Sequence, residues 1–200
     1  IAILDYGVGN LKSIYNMFKK VGVESFITSN IEDIKNANKY LLPGVGSFDH
    51  GITSLKKTLF FETLEKEVLE NKKPILGICL GMQLLTNSSE EGKEKGLGWI
   101  DAQTIKFDLE DKSLSIPHMG WNKVNATNNN DIFKNLEENR FYFVHSYHVV
   151  CNNQKNILAT ANYGQTFTCS IHKDNIYGVQ FHPEKSHKFG MQLLKNFGEM

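Results

Sequence analysis

Continuous apolar runs alternate with stretches whose apolar residues recur every three or four positions, and this alternation carries through the first half of the chain. Ile1-Ala2-Ile3-Leu4 is apolar throughout, the pattern of a strand buried on both faces. Leu11, Ile14, Tyr15 and Phe18 then recur at helical spacing, with Asn10 placed to cap the helix. Residues 23–28 and 39–42 read as two further strands. Ile52, Leu55, Leu59, Leu64 and Val68 predict one long amphipathic helix that stops before Pro74. A short strand at Ile75 follows, and then helix-forming Met82-Gln83-Leu84-Leu85. A β-α-β-α succession implies right-handed crossovers and a parallel sheet. The second half differs. Segments 102–107, 144–150, 157–161, 166–171 and 176–181 are strand-like with turn residues between them, and 189–197 closes as a helix. The expectation is an α/β fold with a central mixed sheet, helices on both faces and an antiparallel addition. No repeat, linker or low-complexity segment divides the chain, so residues 1–200 are expected to form one domain.

Three segments carry chemistry. Gly77-Ile78-Cys79-Leu80-Gly81 lies between the Ile75 strand and the next helix, which would put Cys79 on a sharp strand-to-helix turn. Glycines on either side remove β-carbons that would clash there, and the amides opening the helix favour a thiolate. A thiolate needs a base. His182 and Glu184, two residues apart on an extended segment around Pro183, face the same way, so the carboxylate can orient the imidazole toward Cys79. The Pro43-Gly44-Val45-Gly46 loop follows a strand, and its Val45 amide could join the Leu80 amide as an oxyanion hole.

Composition narrows the field. Hydrophobic residues make up 40% and charged residues 22% of the 200 positions, ordinary values for a globular protein. Formal net charge is zero, so there is no electrostatic case for nucleic acid or a membrane surface. No apolar run reaches the roughly 18 residues of a membrane span, and no signal peptide is recognised. An initiator methionine is expected ahead of Ile1. Three cysteines, Cys79, Cys151 and Cys169, form no framework, and a reactive thiol at Cys79 suits a reducing cytoplasm. Asparagine is concentrated between Asn125 and Asn139.

Together the three segments resemble the class I, or triad, glutamine amidotransferase family, which releases ammonia from glutamine through a cysteinyl thioester. Asp5-Tyr6-Gly7-Val8-Gly9-Asn10-Leu11, Ile116-Pro117-His118-Met119-Gly120-Trp121-Asn122, Tyr142-Phe143-Val144-His145-Ser146-Tyr147 and His182-Pro183-Glu184-Lys185-Ser186 are similar to the glutaminase subunits of imidazole glycerol phosphate synthases, essentially end to end. The stretches Tyr147 to Cys151 and Ser186 to Met191 look more like a paralogous branch serving amination or amidination of surface sugars. The resemblance implies a flavodoxin-like three-layer sandwich, L-glutamine as substrate and no cofactor. It also implies a heterodimer with a (β/α)8 synthase subunit that receives ammonia through an internal passage and makes imidazole glycerol phosphate and AICAR in histidine biosynthesis. Such a barrel needs roughly 250 residues of its own, so it must be a separate protein. By motif position, Gly46, Gln83, Ser146 and Tyr147 border the glutamine. Asn10, Trp121, Tyr142 and Lys185 face the partner, and His118 belongs either to that face or to the core.

Other readings are weaker. A cysteine peptidase or esterase could use the same three residue types, but the Pro-Gly-Val-Gly loop and His-Pro-Glu ending favour a glutaminase. An interaction protein that has lost its site would not keep all three. Gly7-Val8-Gly9 lacks the third glycine of a dinucleotide loop, since Lys12 stands there. Seven histidines could suggest zinc, but His145 and His148 would point to opposite faces of one strand, and His182 and His187 have no cysteine partners at finger spacing. Glu65, Lys66, Glu67, Glu70, Lys72 and Lys73 are expected on a solvated helix face.

Overall fold

The computed structural model describes residues 1–127, 131–136 and 138–200, so part of the asparagine-rich stretch lies outside the described residues. In chain order the first half runs β1 (Ala2–Leu4), α1 (Leu11–Lys20), β2 (Phe26–Thr28), α2 (Ile31–Asn36), β3 (Tyr40–Leu42), α3 (Phe48–Lys56), α4 (Phe61–Leu69), β4 (Ile75–Ile78) and α5 (Leu80–Leu84). The second half adds β5 (Ser88–Ser89), β6 (Ala102–Lys106), β7 (His118–Ala126), β8 (Arg140–His145), β9 (Tyr147–Cys151), β10 (Ile157–Tyr163), β11 (Gln165–Lys173), β12 (Ile176–Val179) and α6 (His187–Glu199).

The main sheet has the order β2-β1-β3-β4-β12-β11-β10-β7-β8. Its first five strands are parallel. From β12 onward the pairing turns antiparallel. Strand β9 pairs with β11 and β6, and β6 with β5. Apolar side chains alternate across the parallel strands. Leu4, Leu42 and Ile75 pack with Ile34, Ile52, Leu64 and Val68 on one face. Ile3, Leu41 and Leu76 pack with Ile14, Phe18, Leu193 and Phe197 on the other. A strand sandwiched this way has no polar side, which is why β1, β3 and β4 read as unbroken apolar runs. Among the described residues, no helix is long and apolar enough to cross a membrane.

The structure differs from the sequence-based expectation in five places, one of them the segment Pro183–Lys185, which is a 3-10 turn rather than an extended run. The long helix is two helices, α3 and α4. The Thr58 hydroxyl donates to the Leu55 carbonyl at 2.8 Å, an alternative to the helical ladder at the break. Leu59 is thereby turned out, 88% exposed, and Phe60 fills the core instead. Helix α2 is too short to show a period; it is held by the Asn30 side chain, which accepts from the Glu32 amide at 2.8 Å. Strand β7 is largely polar, and only its buried-exposed alternation identifies it. Finally, the segment 144–150 is not one strand, because the chain breaks at Ser146 between β8 and β9. His145 and His148 therefore do not face opposite ways: both rings pack on Phe107, with centroids 5.2 and 4.6 Å away.

Candidate active site

The β4 and β12 strands are parallel neighbours in register, with Gly77 opposite Gly178 and Ile78 opposite Val179. Both therefore end at the same level, and their C-terminal extensions lie side by side. After β4 comes Cys79, whose amide donates to the Val179 carbonyl at 2.8 Å. Its φ of 54° and ψ of −110° are strained for a residue with a side chain, as a nucleophile turn requires. The flanking glycines are needed for contact. A Cβ on Gly81 would stand 2.0 Å from the Leu42 carbonyl oxygen, and one on Gly77 would stand 2.6 Å from the Gly81 oxygen. A Cβ on Gly44 would reach the Gly81 amide nitrogen at 2.6 Å, so the glycine loop packs directly on the start of α5. That helix has only five residues, and its field at Cys79 is correspondingly shorter in reach than the sequence suggested.

After β12 comes His182. Its Nδ1 pairs with Glu184 Oε1 at 2.8 Å, with both side chains 3% exposed. Nε2 is buried and, among the described residues, makes no well-formed hydrogen bond. Burial alone would lower the proton affinity of this ring. The interactions with Cys79 and Glu184 outweigh it and raise the pKa from 6.5 to about 10. Thiol and imidazole thus face each other without a fully formed hydrogen bond. The Ser186 hydroxyl donates to the His182 carbonyl at 2.6 Å and accepts from the Tyr142 amide at 2.9 Å, which ties this turn to β8.

A cleft of about 370 Å³ opens over the pair, and the sequence-derived residues fall into clear groups around it. Cys79, His182, Val45 and Leu80 line it, as do Gly46, Gln83, Ser146 and Tyr147. Glu184 stands behind His182. Of the four partner-facing candidates, Lys185 lies at the cleft, with its ammonium 5.8 Å above the Tyr142 ring. Tyr142 in turn meets Trp121 edge-on at 6.3 Å. Asn10 is exposed at the start of α1, and among the described residues no hydrogen bond or ring contact joins it to the other three; its side chain does not cap the helix. His118 and Trp121, neighbours in one motif, separate completely: His118 is buried and Trp121 is 41% exposed.

Sequence reading missed other parts of the site. Gln180 is fully buried, and its Nε2 lies 3.8 Å from Cys79 Sγ. Glu91 lines the cleft and accepts from the Phe48 amide at 2.8 Å, in a charged loop that looks like plain surface. Pro117, Val144 and His145 complete the wall. The Gly7 and Gly9 pair is explained without a nucleotide. Both have positive φ, and a Cβ on Gly9 would stand 2.9 Å from Pro43 Cβ. Tyr6 from the same loop donates its hydroxyl proton to the Pro43 carbonyl, anchoring the glycine loop.

A parallel sheet carries a cysteine on a strained turn at its carboxyl edge with a His-Glu pair beside it, the arrangement expected of a triad-type site. The chain belongs to the class-I glutamine amidotransferase family, whose pattern matches residues 2–200. It is 59% identical over 198 residues to imidazole glycerol phosphate synthase subunit HisH 2 of Methanococcus maripaludis, covering 98% of both chains. It is 49% identical to the protein of the same name from Pseudomonas aeruginosa, covering 100% of this chain and 99% of that one. In fold it is similar to a crystal structure of a glutamine amidotransferase, with a TM-score of 0.73 at 15% identity over 97% of this chain and 98% of that one. The structure of PurLQS from Thermotoga maritima gives a TM-score of 0.72 at 19% identity, over 98% and 95%.

Proposed function

We propose that the chain hydrolyses the side-chain amide of L-glutamine at Cys79 and passes the ammonia to a separate (β/α)8 synthase subunit that makes imidazole glycerol phosphate and AICAR. The names of its relatives support this branch over the surface-sugar branch. The observation that carries the chemistry is the buried Glu184–His182 pair, whose free Nε2 faces a cysteine on a strained turn. The Cys79 thiolate attacks the amide carbon, and the Val45 and Leu80 amides hold the resulting oxyanion. His182 gives its proton to the leaving nitrogen, the C–N bond breaks and ammonia departs, leaving a thioester. The now neutral ring takes a proton from water, whose oxygen attacks the thioester; glutamate leaves and the sulfur is restored. Gly46, Gln83, Ser146 and Tyr147 form the walls around the amide. A bound amino acid also brings an ammonium group that needs a counter-charge when desolvated, and Glu91 is the carboxylate in the cleft wall that supplies it.

The test is glutamate release by the chain alone, with the copurifying synthase subunit, and with that subunit plus its acceptor ligand, alongside a peptide panel. Glutamine should be turned over and peptides left intact. Gly46 has a φ of +93° and Val45 is 45% exposed, so the glycine loop has freedom to turn an amide toward or away from the oxyanion. One missing oxyanion donor costs on the order of a hundred- to a thousand-fold, so full activation by partner and ligand is expected to be about that factor or less. Equal rates in all three arms would remove the latent-site reading and leave the glutaminase chemistry standing.

Trp121, Tyr142 and Lys185 are joined by ring contacts and reach the cleft through Lys185, which supports reading them as the face that meets the synthase. Lys185→Glu is expected to weaken docking about tenfold or more, and to lower coupled synthesis with it, while the exposed position leaves folding unaffected. Titration of the variant against the synthase measures this; unchanged affinity together with normal coupling contradicts the assignment.

A further inference from the structure

Beside the cleft lies a set of buried histidines that the hydrolysis does not use. His145 lines the cleft next to His182, yet both of its nitrogens are engaged elsewhere. Nδ1 is 2.8 Å from the Tyr147 carbonyl oxygen and Nε2 is 2.9 Å from His118 Nδ1. It therefore has no free nitrogen with which to act as a second base. His118 is clamped between Phe143 and Tyr163, with centroids 4.9 and 4.1 Å away, both at 26°. Its Nε2 is 3.3 Å from Asn122 Nδ2.

The direction of every bond in this chain can be deduced, and from both ends. At the inner end the Tyr147 carbonyl only accepts, so His145 Nδ1 carries the proton and its Nε2 accepts. His118 Nδ1 must then donate, which leaves His118 Nε2 as an acceptor. At the outer end Asn122 Oδ1 accepts from the Lys123 amide at 2.8 Å, and its Nδ2 donates to the Asn162 carbonyl at 2.7 Å. That fixes the amide so that Nδ2 faces His118 as a donor. Both ends of the chain thus impose the same polarity. Both rings are neutral at pH 7, since burial lowers the pKa of His118 to about 4 and that of His145 to about 3.

The Tyr147 carbonyl is shared. Gln83 Nε2 donates to it at 3.3 Å and to Gln180 Oε1 at 3.0 Å, and Gln180 Nε2 approaches Cys79 Sγ. We propose that Asn122, His118 and His145 are positioning residues: a one-directional hydrogen-bond chain running from β7, beside the exposed Trp121, that sets the Tyr147 carbonyl and through it the Gln83 and Gln180 amides around the nucleophile. The inference rests on reading this cleft as the glutamine site. It differs from the bland account, in which the histidines merely fill core, because it requires particular tautomers and a particular kinetic signature.

Two experiments test it. First, imidazole nitrogen NMR of the uniformly labelled full chain at pH 7 should show His118 and His145 both protonated on Nδ1 and bare on Nε2. This is the less common form for free histidine, and the opposite tautomer on either ring overturns the proposal. Second, His118→Phe keeps the stack between Phe143 and Tyr163 but removes both bonds, without touching the cleft. In complex with the synthase it should raise KM for glutamine about tenfold while kcat falls less than threefold. His118→Asn, whose Nδ2 stands in for Nδ1, should bring KM back to within about threefold of the parent. Identical kinetics for the two variants, or a loss confined to kcat, overturns the proposal. Absence of glutamine turnover in the unmodified complex would instead overturn the glutaminase reading, and the NMR result would stand apart from it.

Discussion

Cys79→Ala is expected to abolish glutamine hydrolysis while leaving the synthase able to use ammonium salt at raised pH. The loss should be on the order of a million-fold, the scale seen when the nucleophile of a hydrolytic triad is removed. Neither of the other two cysteines can take over. Cys151 and Cys169 are both buried, and burial pushes the Cys151 thiol up to about 11 and the Cys169 thiol well above its ordinary range. Neither presents a thiolate at neutral pH, and neither lines the cleft. The backbone is expected to hold in the variant, because the turn is fixed by the Cys79 amide on Val179 and by glycine contacts rather than by the sulfur. Glutamate release, and labelling by a glutamine-derived thiol electrophile followed by mass spectrometry, measure the outcome. Turnover within tenfold of the unmodified chain, or label on Cys151 or Cys169, would show that the nucleophile lies elsewhere.

How much of this was legible in the residues depended on the range of the interaction behind each feature. The parallel strands were plain because both of their faces are apolar. The Cys79 turn was plain because close approach of three backbone segments leaves only glycine possible at 77 and 81. Adjacency in the chain was enough to pair His182 with Glu184, although Pro183–Lys185 folds as a 3-10 turn and not as the extended segment expected. By contrast, Gln180 and Glu91 enter the site through strand register and loop packing, which no local pattern encodes. The histidines at 145 and 148 misled because strand periodicity assumes an unbroken strand. Ser146 breaks it, and two rings that should diverge meet on Phe107. The same break turns Tyr147 into the cleft. The helix break at Thr58 was hidden similarly: Leu59 fits the apolar period better than Phe60, yet the turn there exchanges them.

His182→Ala should be nearly as damaging as loss of Cys79, because in the proposed mechanism one ring serves as acid for ammonia and base for water. Glu184→Gln should cost on the order of ten- to a hundredfold less than either, since an orienting group contributes less than the groups that move protons. The pair also has a thermodynamic signature with a definite sign. His182 has a pKa of about 10 in the folded chain against an ordinary 6.5. The folded state therefore holds the proton more tightly, and the stability this contributes is fully present below pH 6.5. It is lost progressively as pH rises from there through about 10. Glu184→Gln removes one of the groups that retain the proton, so the folded pKa falls and the slope of stability against pH above 6.5 flattens. Other groups that titrate in this window are common to both proteins and cancel in the comparison. Melting temperatures of the two chains, taken across this range, should converge as the pH rises. Curves that instead run parallel throughout would mean that Glu184 does not hold the His182 proton, and its role as orienter would fall with that result.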